Sequence, residues 1–342
     1  MKLFLIFGVI LFLTSCKSSY LKYDKIEQLN KNDEFEKQVK IIPAGLAPTT
    51  LPESGVAKKA PTQIPSEVKS KGKKRKTKLA NKKNEVAATQ REPDLEDTEG
   101  FGLARRPLVD PFRVGEEVVH DVHYFKVSAG ELAFKVEPFV EVNCLKSYSF
   151  ATEIRSGRMF SSFYSVDDRA VTLMDFNLMI PRVFTLDVKE SAQLRQAKSY
   201  FDFDQMKATY WEKKVTEKDG KEEKKLQWDI LSYSQNVFST LFYMRLFKWE
   251  VGKQYSFRVA HDQENLTFKG TALRKEKLKT EAGEFSTIVV KPEMMVKGLF
   301  KPMGDIYIWL SDDDRKYILR IECSIRIGTL VSEVVKLNPG QP

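Results

Sequence analysis

The chain has 342 residues, 42% of them hydrophobic and 30% charged, with 56 Lys and Arg against 47 Asp and Glu. That allows one or two domains and a sizeable core, and it excludes collagen-like and wholly disordered chains. Three cysteines exclude a disulfide-dense scaffold and a four-cysteine zinc site, and no apolar run approaches the ~20 residues of a membrane-spanning helix.

Residues 1–15 read as a secretory signal. Lys2 supplies the positive start, and Leu3 to Leu13 form an apolar run of eleven residues, a length that suits a signal core. The run ends in Leu13-Thr14-Ser15-Cys16, which resembles the bacterial lipobox. In that class of signal the cysteine thiol takes a diacylglycerol and becomes the first residue after cleavage. The resemblance implies lipid attachment at Cys16 and a membrane as partner. Each buried CH₂ contributes ~0.8 kcal/mol, so more than one chain makes stable anchoring. Lys17 follows the cysteine where Asp would favour the inner membrane of enteric bacteria, so the expected place is the outer membrane, facing the periplasm.

Residues 16–111 read as a disordered tether. Prolines recur from Pro43 to Pro111, and Lys69–Lys83 holds nine basic side chains with no acid between them. Such a block repels itself and stays extended. Residues 1–111 carry 21 basic and 14 acidic side chains, and the remainder carries 35 and 33. The basic balance therefore belongs to the tether and does not mark a nucleic-acid-binding domain. Envelope polyanions are the partners open to Lys69–Lys83 by weak contact; a plain solvated spacer is the other reading. A coil of ~95 residues would span roughly 50–60 Å.

Residues 112–338 read as one β-rich domain. Val118 to Val127 is rich in β-branched and aromatic residues, and Ser128-Ala129-Gly130 reads as a turn. Leu132, Phe134, Val136, Val140, Val142 and Cys144 then share one parity, with charged residues on the other. Similar runs follow at 148–155, 170–176, 182–188, 198–203, 207–215, 254–261, 266–277, 286–292, 304–310, 317–327 and 329–337. Ser234 to Trp249 breaks the pattern with helical spacing, Ser234 reading as its N-cap. A short helical turn is expected near 157–164. A dozen strands with one or two short helices predict a mainly β fold, a single antiparallel barrel or sandwich.

Several landmarks resemble the uncharacterised periplasmic domain-of-unknown-function family numbered 3108. They are Gly115-Glu116, Gln235 to Ser239 running on to Tyr243-Met244-Arg245, Gly252-Lys253, Thr280 to Phe285, Ile308 to Arg315 and Ile327 to Leu330. Asn236 stands where the family usually has Asp. The resemblance implies a secreted β-rich fold and no particular activity.

No catalytic constellation stands out. His120 and His123 are three apart on an expected strand and so point to opposite faces. Asp312-Asp313-Asp314 lacks the spacing of a calcium loop. Glu116-Glu117 and Asp167-Asp168 are neighbours that point apart, and neither a Gly-x-Ser-x-Gly turn nor a phosphate-cradling loop occurs. The expectation is a non-catalytic binding or scaffolding module with no metal and no cofactor. The alternative is a carrier of lipid or other hydrophobic cargo in a hollow barrel. Cys144 and Cys323 share the apolar parities of their strands and are expected to face one core, either bridged or as separate thiols. Arg245, after Phe242-Tyr243 on the expected helix, is the candidate contact for an anionic head group; a salt bridge is the other reading.

Overall fold

The computed structural model describes residue 29 and residues 31–44, 107, 109–125, 127–296, 299–301, 305–325 and 328–341. Cys16 and Lys69–Lys83 lie outside the described residues.

A short leading segment carries α1 (Asp33–Gln38) and β1 (Ile41–Pro43). The domain then runs through β2 (Glu116–Tyr124), β3 (Val127–Val142), β4 (Leu145–Ser156), α2 (Arg158–Ser161) and β5 (Asp167–Asp175). It continues with β6 (Pro181–Glu190), β7 (Gln193–Asp202), β8 (Lys207–Thr216), β9 (Gly220–Asp229) and α3 (Val237–Tyr243), which runs into a 3₁₀ turn at Met244–Leu246. The last strands are β10 (Gln254–His261), β11 (Glu264–Thr280), β12 (Gly283–Val296), β13 (Leu299–Lys301), β14 (Ile306–Ser311), β15 (Ile318–Ile325) and β16 (Gly328–Pro339).

These strands form one antiparallel sheet in the order β10-β11-β12-β14-β15-β16-β2-β3-β4-β5-β6-β7-β8-β9, with β1 beside β3 and β13 beside β12. Short turns make chain neighbours into sheet neighbours. The pairing of β16 with β2 joins the end of the domain to its beginning. The edges are β9 and β10, consecutive in the chain but separated by the long connection that carries α3. Phe134 of β3, Phe150 of β4, Phe257 of β10, Val289 of β12 and Ile308 of β14 share one buried cluster. The sheet therefore curls round on itself like a barrel but does not close.

The connection fills part of the interior. Asn236 caps α3, its side chain accepting from Ser239 N–H while the Ser239 hydroxyl accepts from Asn236 N–H. The cap is Asn236, not Ser234, because Gln235 is still extended and bridges to Val259 of β10. Phe242 stacks on Phe150 with ring centroids 4.4 Å apart, and Phe112 and Phe134 pack around it. Offset aromatic pairs of this kind add about 0.5–1.5 kcal/mol each beyond area burial.

Three expectations change. First, part of the expected tether is folded. Phe35 of α1 is buried on the outer face of the sheet, edge-on to Trp211 of β8, beside Val142, Leu173 and Val183. Trp211 Nε1–H donates to Glu34 at 3.1 Å, and β1 pairs with residues 140–142 of β3. Second, the turn expected at Ser128–Gly130 falls earlier, at Phe125. Gly130 lies inside β3, where a Cβ would stand 2.1 Å from the Arg155 carbonyl oxygen. Glycine is there for close strand approach, not for a turn. Third, residues 220–229 form a strand, β9, where none is expected, because apolar alternation is confined to Leu226 and Trp228 at its lower end. Its sequence, Lys221-Glu222-Glu223-Lys224-Lys225, suits an exposed edge strand that must not recruit another chain.

The sheet has two ends. The β2–β3, β8–β9 and β10–β11 turns mark one, called upper here, with the β4–β5 connection; the β3–β4 and β14–β15 turns mark the lower end.

Candidate ligand-binding cleft

Strand alternation places Phe184 and Leu186 of β6, Phe201 of β7 and Ala208 of β8 on the inner face, joined by Phe238 of α3 and Ala260 of β10 in one apolar cluster. Phe238 stacks on Phe184 at 5.3 Å. Between this floor and the β9 edge a cleft of about 300 Å³ remains, lined also by Leu226, Trp228, Tyr210 and Asp262. That is the lower bound of volumes usual for ligand sites. It opens sideways between β9 and the upper end of β10, where Lys224 Nζ lies 3.8 Å from Asp262.

The mouth is polar and the floor apolar. Arg195 and Glu212 lie inside it, Nη1 to Oε2 at 3.6 Å, and the Tyr210 hydroxyl donates to Glu212. Burial, then the Glu212 charge, drives the Tyr210 phenol well above its usual range. Arg195 Nε and Trp228 Nε1 are buried donors with no hydrogen-bond partner among the described residues. Such donors cost free energy unless a water or ligand satisfies them. Arg195 pairs across with Lys214 and Trp228 with Ala208, so the two donors lie about six residues apart along the sheet, roughly 20 Å at the strand rise. The space is long, narrow and one chain wide.

Two more acids face the interior near Arg195. Asp168 of β5 accepts from Lys189 N–H at 3.0 Å, and Glu190 accepts from the Tyr164 hydroxyl at 2.6 Å and from Gln193 at 2.7 Å. Burial, then the charge of Glu190, raises Asp168 to about 7.

Arg245 is not at this mouth. It is 2% exposed at the lower end, its Nη1 2.6 Å from Glu116 Oε1. Arg315 Nη2 takes the other oxygen of Glu116 at 2.8 Å. Arg245 also donates to the Arg315 and Pro111 carbonyls, and Arg315 to those of Pro111 and Pro339. One buried carboxylate with two guanidinium groups thus clasps the entry to β2, α3, the β14–β15 turn and the end of β16. The reading of Arg245 as a head-group contact is corrected: it is a buried ion pair, and removal of one partner would cost about 3–5 kcal/mol.

The cysteines are corrected too. Asn143 and Cys144 form the β3–β4 turn with φ of 49° and 66°, and this left-handed pair swings Cys144 into solvent. Cys323 is half-buried on β15 opposite Ile306 and Leu330, towards the upper end. Both are free thiols at opposite ends of the sheet, and burial pushes the Cys323 thiol up.

His120 is buried, bonded to Ser332 Oγ at 2.8 Å and the Ile318 carbonyl at 2.9 Å, whereas His123 pairs with Asp121. Asp313 caps the β14–β15 turn, accepting from Ser311, Arg315 and Lys316. Among the described residues no cluster of His, Cys, Asp or Glu is placed to hold a metal. Sequence spacing alone does not mark the cleft residues, because only the parity of β6–β9 brings them together and the charged run of β9 hides it as a strand.

The fold and clasp define a barrel-like, open antiparallel sheet with an internal helix. The chain belongs to the family described as protein of unknown function DUF3108, whose model matches residues 119–335. No curated protein matches it. Among solved structures it is similar to a β-barrel-like protein of domain of unknown function DUF1849 from Brucella abortus, at 10% identity and TM-score 0.40, over 66% of this chain and 98% of that one. It is also similar to a protein from Bacteroides fragilis described as exported with a YmcC-like fold, at 9% identity and TM-score 0.30, over 66% and 96%. A structure from Parabacteroides distasonis described as a lipoprotein matches at 9% identity and TM-score 0.26, over 68% and 97%.

Proposed function

We propose that this protein is a lipid-anchored envelope binding module, held at Cys16 in the outer membrane with its β domain in the periplasm. It binds a ligand and does not transform it. The signal core and the lipobox support the address. Three features of the cleft support the binding role, namely an apolar floor, a charged mouth and two buried donors without partners. The wholly hollow barrel of the carrier alternative is not the arrangement here, because α3 and its aromatic neighbours fill the space beneath the cleft. What remains fits one extended acyl chain, with its polar head near Arg195 and Lys214. The ligand class is therefore a single-chain amphiphile.

Calorimetric titration of the full chain with dodecanoate tests this. One molecule binds to the wild type. Leu226→Trp, on the exposed edge strand, fills the cleft and weakens binding by about tenfold or more, with the melting temperature little changed. Equal affinity in the variant, or no binding to either, contradicts the reading.

A further inference from the structure

The upper end of the sheet presents large apolar side chains to solvent. Phe125 is 71% exposed, Met159 65% and Phe163 85%, and Val127 and Tyr164 are also exposed. They come from two tips that are neighbours: Gly157 N–H, at the entry to α2, donates to the Ala129 carbonyl at 2.8 Å, just beyond the β2–β3 turn. Single exposed apolar residues need no explanation, but a group of this kind does. Phe125 adds a second oddity. It holds φ of 56°, a left-handed conformation suited to glycine or asparagine, yet keeps a large aromatic ring on the turn. The ring leans on Tyr124 at 4.6 Å yet leaves most of its surface in solvent.

Two further features fall on the same end. The mouth of the cleft lies there. So does the exit of the leading segment: from β1 beside the lower part of β3, α1 runs upward along the outer face until the Lys31 carbonyl accepts from Lys213 on the upper half of β8. Only about fifteen residues separate Cys16 from that point, at most roughly 50 Å of fully extended chain. An anchor at Cys16 thus leaves the domain from the end that carries the apolar tips. Exposed Arg158 lies among them, with the sign that suits anionic lipid, while Arg155 beside it is paired with Asp167 and Glu153.

We infer that this end is a membrane-docking face. Phe125, Val127, Met159 and Phe163 enter the head-group boundary of a bilayer, and the upper margin of the sideways-opening cleft then lies near the surface from which a single-chain amphiphile would come. Convex tips of this kind seat in a soft surface and do not form a groove for a protein ligand. The orientation rests on anchoring at Cys16; the docking itself does not.

The test uses the full-length lipidated protein in phosphatidylcholine–phosphatidylglycerol vesicles, with and without brominated acyl chains. Phe163→Trp adds a reporter at an exposed tip where the fold is indifferent to it, and Met159→Trp repeats the reading on α2. Brominated lipid is expected to quench the added fluorescence, because an apolar tip seated about 5–10 Å into the interface lies next to the acyl chains, with no such loss in the wild type. Flotation of the same vesicles reads anchoring separately. Protein that floats with both reporters unquenched overturns the docking face and leaves the anchor standing. A Cys16→Ser chain that floats with quenched reporters shows docking without the anchor. Failure to float in both forms overturns docking and anchoring together.

Discussion

At the residue scale, two buried groups make opposite demands on pH. Burial lowers His120 from 6.5 to about 4. The unfolded chain takes that proton near its ordinary value and the folded chain does not, so the His120 contribution is present above pH 6.5 and lost as the pH falls towards 4. At 1.36 kcal/mol per unit this amounts to roughly 3 kcal/mol. Asp168 is raised from 3.8 to about 7. Its folded value lies above its unfolded one, so its contribution is full below about 3.8 and lost as the pH rises through 7. The two trends offset each other between pH 4 and 7. Asp168→Asn keeps the oxygen that accepts from Lys189 N–H and removes the charge. Urea denaturation should find the variant more stable than the wild type by about 2–4 kcal/mol at pH 8, the gap closing towards pH 4. A gap independent of pH contradicts the assignment. Neither trend was legible in the sequence, since no spacing tells that His120 will meet Ser332 or that Asp168 will meet Glu190.

At the element scale, α1 shows how a short segment escapes sequence reading. It has six residues, and only Phe35 and Val39 with the preceding Leu29 are buried. Helices this short are not stable alone, so α1 exists because Phe35 finds Trp211. Phe35→Ala removes that contact and should cost about 3–5 kcal/mol of docking energy. Hydrogen exchange is expected to show residues 31–44 losing protection while β2 and β3 keep theirs. Retained protection of α1 in the variant would contradict its dependence on the Trp211 contact. Most strands from β2 to β16 were legible, because period-2 alternation reports a half-buried sheet directly. β9 was not, because an edge strand replaces alternation with charge. The α3 region was legible as a helix but not in its cap, since whether Ser234 or Asn236 starts it depends on the bridge between Gln235 and Val259.

At the scale of the whole molecule, a barrel or sandwich could be read from the strand count, but openness could not. Closure depends on whether β9 meets β10, and the connection between them is long enough to thread α3 through the interior instead. The family landmarks explain why the binding role stayed hidden. Glu116, Arg245 and Arg315, from three separated segments, meet in the clasp at the lower end. They report the fold. The cleft shares only its floor with those landmarks, through Asn236, Val237 and Phe238, while its polar groups Arg195, Tyr210, Glu212 and Trp228 lie outside them. The expected tether begins differently too: the leading segment is docked on the sheet within about fifteen residues of Cys16.

The proposed role stands or falls on whether the cleft holds a single-chain amphiphile. The most direct measurement is the native mass of the full-length protein released from its own envelope in amphipol, compared with its denatured mass. A non-covalent excess equal to one single-chain amphiphile is expected in the wild type, absent from Leu226→Trp prepared alongside. Equal native and denatured masses in the wild type, or an excess that survives in Leu226→Trp, would contradict it.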